Sequence, residues 1–441
     1  MRSAFLNKLL GIFSAPNFGN PVIDPHQPET HWRLIKGWVL WSSFGVMASF
    51  SLVFFAFHDS VNWISSLSHK PLSWDFTNMW FGGKLALSGQ LGVLFDVDSY
   101  RAAMRAAFSP TIADSEWSYP PSILLLGAPL ALLPLPLAWA VWSLGGVAAL
   151  AALVRSLGLP WLGLPALILS AAFADTFVLG QNGAYTAAML LGGLWLAPRR
   201  PGWAGLLFGL LACKPQFGVL VPICLVAGRH WRALVFSGLY SIGFALLAAG
   251  LFGPQVWLGF IEVTRPLMTS ILEAPFLQDY QARAVTIFIL VRGLGGDLML
   301  AYSVQALAAL ACAFCAYRLW SRPKMDPLLR LAATGGLTLL ATPYGYSYDM
   351  VVLSVGIMLA VARLGLSQTN GLSLLWAWPA LCSSFTYWIG PYSSIFIALG
   401  TYQLMRFALA SEGSDLARAA AGYRARDQLA PPSTVRIAPV V

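Results

Sequence analysis

Asp75 lies in the stretch Trp74-Asp75-Phe76-Thr77-Asn78-Met79-Trp80-Phe81-Gly82-Gly83-Lys84. A carboxylate held among aromatics and glycines can act as a general base. Partial desolvation raises its affinity for protons toward working pH, where it can take one from a hydroxyl. The same position also suits a helix N-cap, so the acid has both a chemical and a structural reading.

Three other polar groups interrupt apolar sequence, and a fourth lies in a polar stretch. Gly180-Gln181-Asn182-Gly183-Ala184-Tyr185 is a polar hinge whose amides, Gln181 and Asn182, can form a plain turn or line a sugar or phosphate pocket. Lys214-Pro215-Gln216 splits an apolar run. Proline there predicts a broken helix, and Lys214 can meet a phosphate. Thr342-Pro343-Tyr344-Gly345-Tyr346-Ser347-Tyr348-Asp349-Met350 places three tyrosines and an acid between two apolar runs. Interfacial anchoring accounts for tyrosines such as Tyr344 and Tyr348, and helix capping could account for Asp349. Arg265 and Arg283 are either solvated surface charge or clamps for a lipid phosphate.

The elements that must position these residues are membrane helices. The chain has 441 residues, of which 58% are hydrophobic and 10% charged. Soluble domains carry roughly 25% charged residues, so the class is polytopic membrane protein. Net charge is +9, spread over short stretches such as Arg199-Arg200, Arg229 to Arg232 and Arg322 to Lys324. That is the footprint of cytoplasmic loops. No basic face interleaved with aromatics exists, which excludes nucleic acid as a partner. The five cysteines sit in apolar runs and read as packing residues. The scattered histidines form no zinc pattern, and no acidic cluster is built for a metal, so neither metal nor cofactor is expected.

A span needs about 20 apolar residues. Gly37 to Phe57 is the first, and dividing apolar length by this requirement predicts about 12 spans. The stretch before it, 1–35, reads as a cytoplasmic segment with a short amphipathic anchor at Ala4 to Phe13. Residues 36–410 form the membrane domain, and 411–441 form a cytoplasmic, disordered tail. Two long polar loops, at 58–118 and 253–284, face outward if the N-terminus is cytoplasmic. The first is expected to carry helices at Met79–Ser88 and Ser99–Phe108, the second an amphipathic helix near Val256–Leu272.

The order of motifs resembles glycosyltransferase family 87. The most specific block runs from Asp75-Phe76 through Trp80-Phe81-Gly82-Gly83-Lys84, Leu94-Phe95-Asp96 and Trp117-Ser118-Tyr119-Pro120-Pro121 to Pro134. Gly180-Gln181-Asn182, Lys214-Pro215-Gln216 and Thr342 to Asp349 follow. The resemblance spans roughly residues 36 to 410 and implies an all-α integral membrane protein with a GT-C-type helical bundle. It also implies a sugar donor carried on polyprenyl phosphate, action at the outer face of the plasma membrane, and a catalytic acid in the first outer loop, where Asp75 stands. Tyr119 joins the candidates for contact with the donor. Relatives carry a histidine near the segment Tyr346 to Asp349, where this chain has Tyr348.

The chemistry this implies is an inverting transfer to a hydroxyl of a glycolipid or polysaccharide, in contact with membrane lipids. Polyprenyl phosphate leaves readily, so a base for the acceptor and cationic or amide donors for the phosphate suffice. The competing classes are a lipid-linked sugar transporter or flippase, for which broken helices are also typical, and a non-catalytic assembly subunit. A transporter should tolerate loss of Asp75 unless it couples ions.

Overall fold

A computed structural model describes Gly45 and residues 64–412 apart from 67–68, 72 and 367. The first span Gly37–Phe57, the N-terminal anchor and the tail beyond 412 lie outside the described residues. Among the described residues the chain is helical, with isolated β-bridges only at Ile64 to Pro71 and Ala284 to Tyr346.

Eleven helices carry the site and its frame. They are α1 (Trp74–Leu87), α2 (Val97–Ala107), α3 (Leu135–Ser156), α4 (Ala171–Leu179), α5 (Gly183–Leu196), α6 (Pro201–Leu211), α7 (Trp231–Phe252), α8 (Leu298–Trp320), α9 (Pro327–Ala341), α10 (Val351–Leu364) and α11 (Ser393–Ala410). Four stretches are long and apolar enough to cross a membrane: α3, α7, α8 and Ser347–Leu364, which includes α10. Shorter apolar helices such as α5, α6 and α9 accompany them. The expected count of about 12 spans therefore exceeds the four that the described helices support by length and composition.

Burial separates two kinds of span. Only 6% of the apolar window of α7 is buried inside the protein, against 89% for Ser347–Leu364. Leu239, Ile242, Leu246 and Leu251 of α7 are exposed. In lipid, such a face is solvated by acyl chains and needs no protein partner. The α10 stretch instead forms the axis of the bundle, with Val351, Val352, Val355, Ile357 and Leu359 fully buried.

The described part of the first long polar loop is folded. Its first helix, α1, starts one residue after Ser73, whose backbone is left-handed at φ 53°. That conformation is costly for a residue with a Cβ. Here the Ser73 hydroxyl donates to the Val178 carbonyl at 3.0 Å. Asp75 is thus inside the helix and is not its N-cap, and no side chain caps this end. The capping reading of Asp75 is corrected accordingly. The expected first helix, Met79–Ser88, begins earlier because its start is set by this tertiary anchor, not by a cap signal. Gly83 lets α1 cross a neighbouring segment closely: a Cβ there would lie 2.2 Å from the Gly127 carbonyl oxygen. The second loop helix, α2, is capped by Asp96, which accepts from the Ser99 N–H at 2.7 Å. The second long polar loop holds a π-helical turn at Phe260–Thr264 and a helix at Arg265–Glu273, close to the expected amphipathic element.

The apolar run Leu164–Leu179 breaks into two helices. Ser170 caps the second, α4, accepting from the Phe173 N–H at 3.2 Å. The run at Lys214-Pro215 breaks as its proline requires, with α6 ending at Leu211 and a 3-10 turn at Pro215–Phe217.

Gly180 closes α4 at φ 68°. Its carbonyl accepts from the Trp142 indole at 3.0 Å. A Cβ on it would meet the Phe76 Cβ at 2.4 Å and the Ser73 Cβ at 2.9 Å. Gly180→Ala should therefore cost more than about 1 kcal/mol, since alanine meets both positive φ and a clash with α1. Thermal unfolding of the solubilised protein would measure it. A wild-type midpoint would show that α1 and the hinge do not depend on one another.

Candidate active site

One cavity of about 1350 Å³ is lined by residues of both long polar loops and of the helices between them. Asp75, Tyr119, Gln181, Asn182, Lys214, Gln216, Arg265, Arg283, Tyr344 and Tyr348 all line it. Sequence positions spread over more than half the chain thus converge on one space. Asp349 is the exception among the candidates and is absent from the lining.

Asp75 sits in the first turn of α1, where the helix dipole favours an anion. It is half-buried, with its carboxyl turned inward. Burial is the main influence on it and pushes its pKa above the usual carboxylate range. A hydrogen bond with the Gln181 side chain, the charges of Lys70 and Arg283, and a hydrogen bond with Trp74 oppose that rise. A carboxyl so placed is a better proton acceptor than a solvated one. The Trp74 ring also bears the two cations: the Lys70 ammonium lies 4.1 Å and the Arg283 guanidinium 5.6 Å from its centroid.

Around the acid, neighbours fix α1. The Tyr119 hydroxyl donates to the Asp75 carbonyl at 2.9 Å. The Asn78 amide donates to the Glu116 carbonyl at 2.8 Å and accepts from the Tyr100 hydroxyl. Glu116 pairs with Arg101, and Asp114 with Arg105, so α2 is tied to the strip that leads into Tyr119.

The opposite wall is built on a buried ion pair. The Lys214 ammonium donates to Asp349 Oδ1 at 2.5 Å and to Asn182 Oδ1 at 3.1 Å. Its charge also lies 4.8 Å from the Tyr348 ring centroid. Asp349 is fully buried, and its other oxygen accepts from the Tyr346 N–H at 3.1 Å. Asp349 does not face the cavity, because both its oxygens are engaged, one by Lys214 and one by the Tyr346 N–H. It caps the turn Ser347–Met350, as its position before an apolar run allowed, and anchors Lys214.

Arg283 belongs to the same assembly through its backbone. Its carbonyl accepts from the Ser347 N–H at 3.3 Å, and the Val285 N–H donates to the Gly345 carbonyl at 2.8 Å. The second long polar loop is thereby stitched to the tyrosine segment. Arg265 is exposed at the rim. Tyr344 is half-buried, with Thr269 as its side-chain partner.

Among the cavity residues outside the candidate set are Lys70 and Asp175. Lys70 gives no local signal, since a lysine in a polar loop is ordinary. Asp175 does give one: it is an acid inside the apolar helix α4, and charge at membrane depth is costly enough to need a reason. No group of three or more His, Cys, Asp or Glu residues that could hold a metal occurs among the described residues.

The charges around Asp75 make a prediction about pH. If Asp75 is the base it must be ionised to act, and rate then rises with pH through its folded pKa. Lys70 holds that pKa down. Lys70→Met should therefore move the acid limb of kcat/KM toward higher pH. A limb that stays where the wild type has it would separate Asp75 from the rate.

A family model described as glycosyltransferase family 87 matches residues 117–343, just over half of the chain. The matched stretch includes Tyr119, Gln181, Asn182, Lys214, Gln216, Arg265 and Arg283. Asp75 and the segment Tyr344 to Asp349 flank it. No curated protein and no solved structure matches the chain.

Proposed function

The chain belongs to glycosyltransferase family 87, and from that premise we propose that it moves a sugar from a polyprenyl-phosphate carrier to an acceptor hydroxyl at the outer face of the plasma membrane. The acceptor is a glycolipid or polysaccharide, and the sugar is a mannose-like hexose or a pentose. The observation that carries this reading is the single cavity that joins a desolvated carboxyl, Asp75, to Arg283 and Arg265.

In the proposed step Asp75 takes the proton of the acceptor hydroxyl. The hydroxyl oxygen bonds to the anomeric carbon as the bond from that carbon to the phosphate oxygen breaks. Its electron pair leaves with polyprenyl phosphate, and direct displacement inverts the anomeric centre. Arg283 and Arg265 meet the charge that develops on the phosphate. Lys214 contributes less than an unpaired lysine would, because Asp349 already neutralises it. Gln181 holds the Asp75 carboxyl in position, and Tyr344, Tyr348 and Gln216 bound the remaining space.

The test supplies membranes containing the chain with labelled polyprenyl-phosphate sugars and a lipid extract of the native cell. Labelled product with inverted anomeric configuration is expected. Transfer from a nucleotide sugar, or product with retained configuration, would sink this reading.

A further inference from the structure

Asp175 is 5% exposed and lines the cavity from α4. It is the fifth residue of that helix, whose cap is Ser170, so it satisfies no helix end. The Ser383 hydroxyl donates to its Oδ2 at 2.5 Å, and Ser347 is a further side-chain partner. A carboxylate offers about four acceptor positions, and two hydroxyls leave part of it turned to the cavity. Val178 and Leu179 line the same wall, and Gln181, the partner of Asp75, follows them. From Asp175 to Leu179 a helix rises roughly 6 Å, about the width of one sugar ring. Arg283 stands within electrostatic reach of both acids.

An acid in an apolar helix is retained only where donors compensate its lost hydration. The donors seen here are hydroxyls, not cations, and a sugar offers more of the same. We infer that Asp175 accepts hydrogen bonds from ring hydroxyls of the transferred sugar and sets which epimer is used. This rests on the transferase reading and adds a specificity determinant to it. Asp75 then works on the acceptor side, Arg283 on the phosphate, and Asp175 on the sugar between them. No bond to Asp175 is made or broken.

The test uses the full chain in nanodiscs. Quenching of tryptophan fluorescence reports binding of glycosylated polyprenyl phosphate and of bare polyprenyl phosphate. Wild type is expected to bind the glycosylated carrier more tightly. Asp175→Asn keeps the shape but should shrink that preference by about tenfold or more, the worth of a hydrogen bond to a charged group. Binding of the bare carrier should stay unchanged, and the ratio of kcat/KM between sugar epimers should flatten. Ser383→Ala, which only loosens the acid, should give a smaller change in the same direction. Equal preference in wild type and Asp175→Asn would overturn the inference, as would a wild type that binds both carriers alike. A wild type that shows the preference yet transfers no sugar would instead overturn the transferase reading and leave the sugar subsite standing.

Discussion

Asp75→Asn should lower the transfer rate by at least about a hundredfold, the scale lost when a general base is removed. Asparagine keeps the shape and the hydrogen bond with Gln181 but cannot take the acceptor proton. The same substitution should leave the fold intact, and the sign of the charge effect makes this checkable. Burial raises the pKa of Asp75 above its unfolded value. Its contribution to stability is therefore fully present below the unfolded pKa and is lost as pH rises through the folded pKa. At neutral pH the neutral variant should unfold no earlier than wild type, and slightly later. A rate within a few fold of wild type would remove Asp75 from the chemistry. A large fall in unfolding temperature would show that the rate loss is structural.

The second large effect is on stability. Lys214→Met leaves Asp349 fully buried without its cation, and Asp349→Leu leaves Lys214 in the same position. Breaking a buried pair from one side costs about 3–5 kcal/mol. Removing both charges together, as Lys214→Met with Asp349→Leu, should recover most of that loss, because the desolvation cost of two ions disappears with them. Thermal unfolding of the four proteins closes the cycle. Additive single and double effects would mean that the two side chains do not act on one another. The double variant should also report on function. If it keeps measurable transfer, the phosphate is held by Arg283 and Arg265, with Lys214 serving mainly to brace Asn182 and Tyr348.

Local signals carried well into the structure. The proline after Lys214 breaks its run where expected, and Asp349 caps the turn before α10. Of the ten candidates around one cavity, Gln181, Asn182, Lys214, Gln216, Tyr344 and Tyr348 follow a simple rule: polar side chains that interrupt apolar runs have nowhere else to turn. Illegible were the partnerships. Lys214 and Asp349 are 135 residues apart, and no periodicity links such positions. The start of α1 was misread because a serine in left-handed geometry, tied to Val178, sets it instead of a capping acid. By contrast, the cap at Ser170 and the isolated acid Asp175 were both visible in principle, one from its residue type and the other from its apolar surroundings.

The walls of the cavity come from far-separated parts of the chain. Thr176 reaches the Tyr348 carbonyl across 172 residues, and Ser383 reaches Asp175 across 208. During synthesis Asp75 emerges long before Arg283 and the tyrosine segment exist. Until they arrive its carboxyl is open to water and should titrate as any solvated acid. Long-range closure of this kind is a late event in folding. The raised proton affinity of Asp75 is thus a property acquired at the end of biogenesis, once the far walls have closed around it.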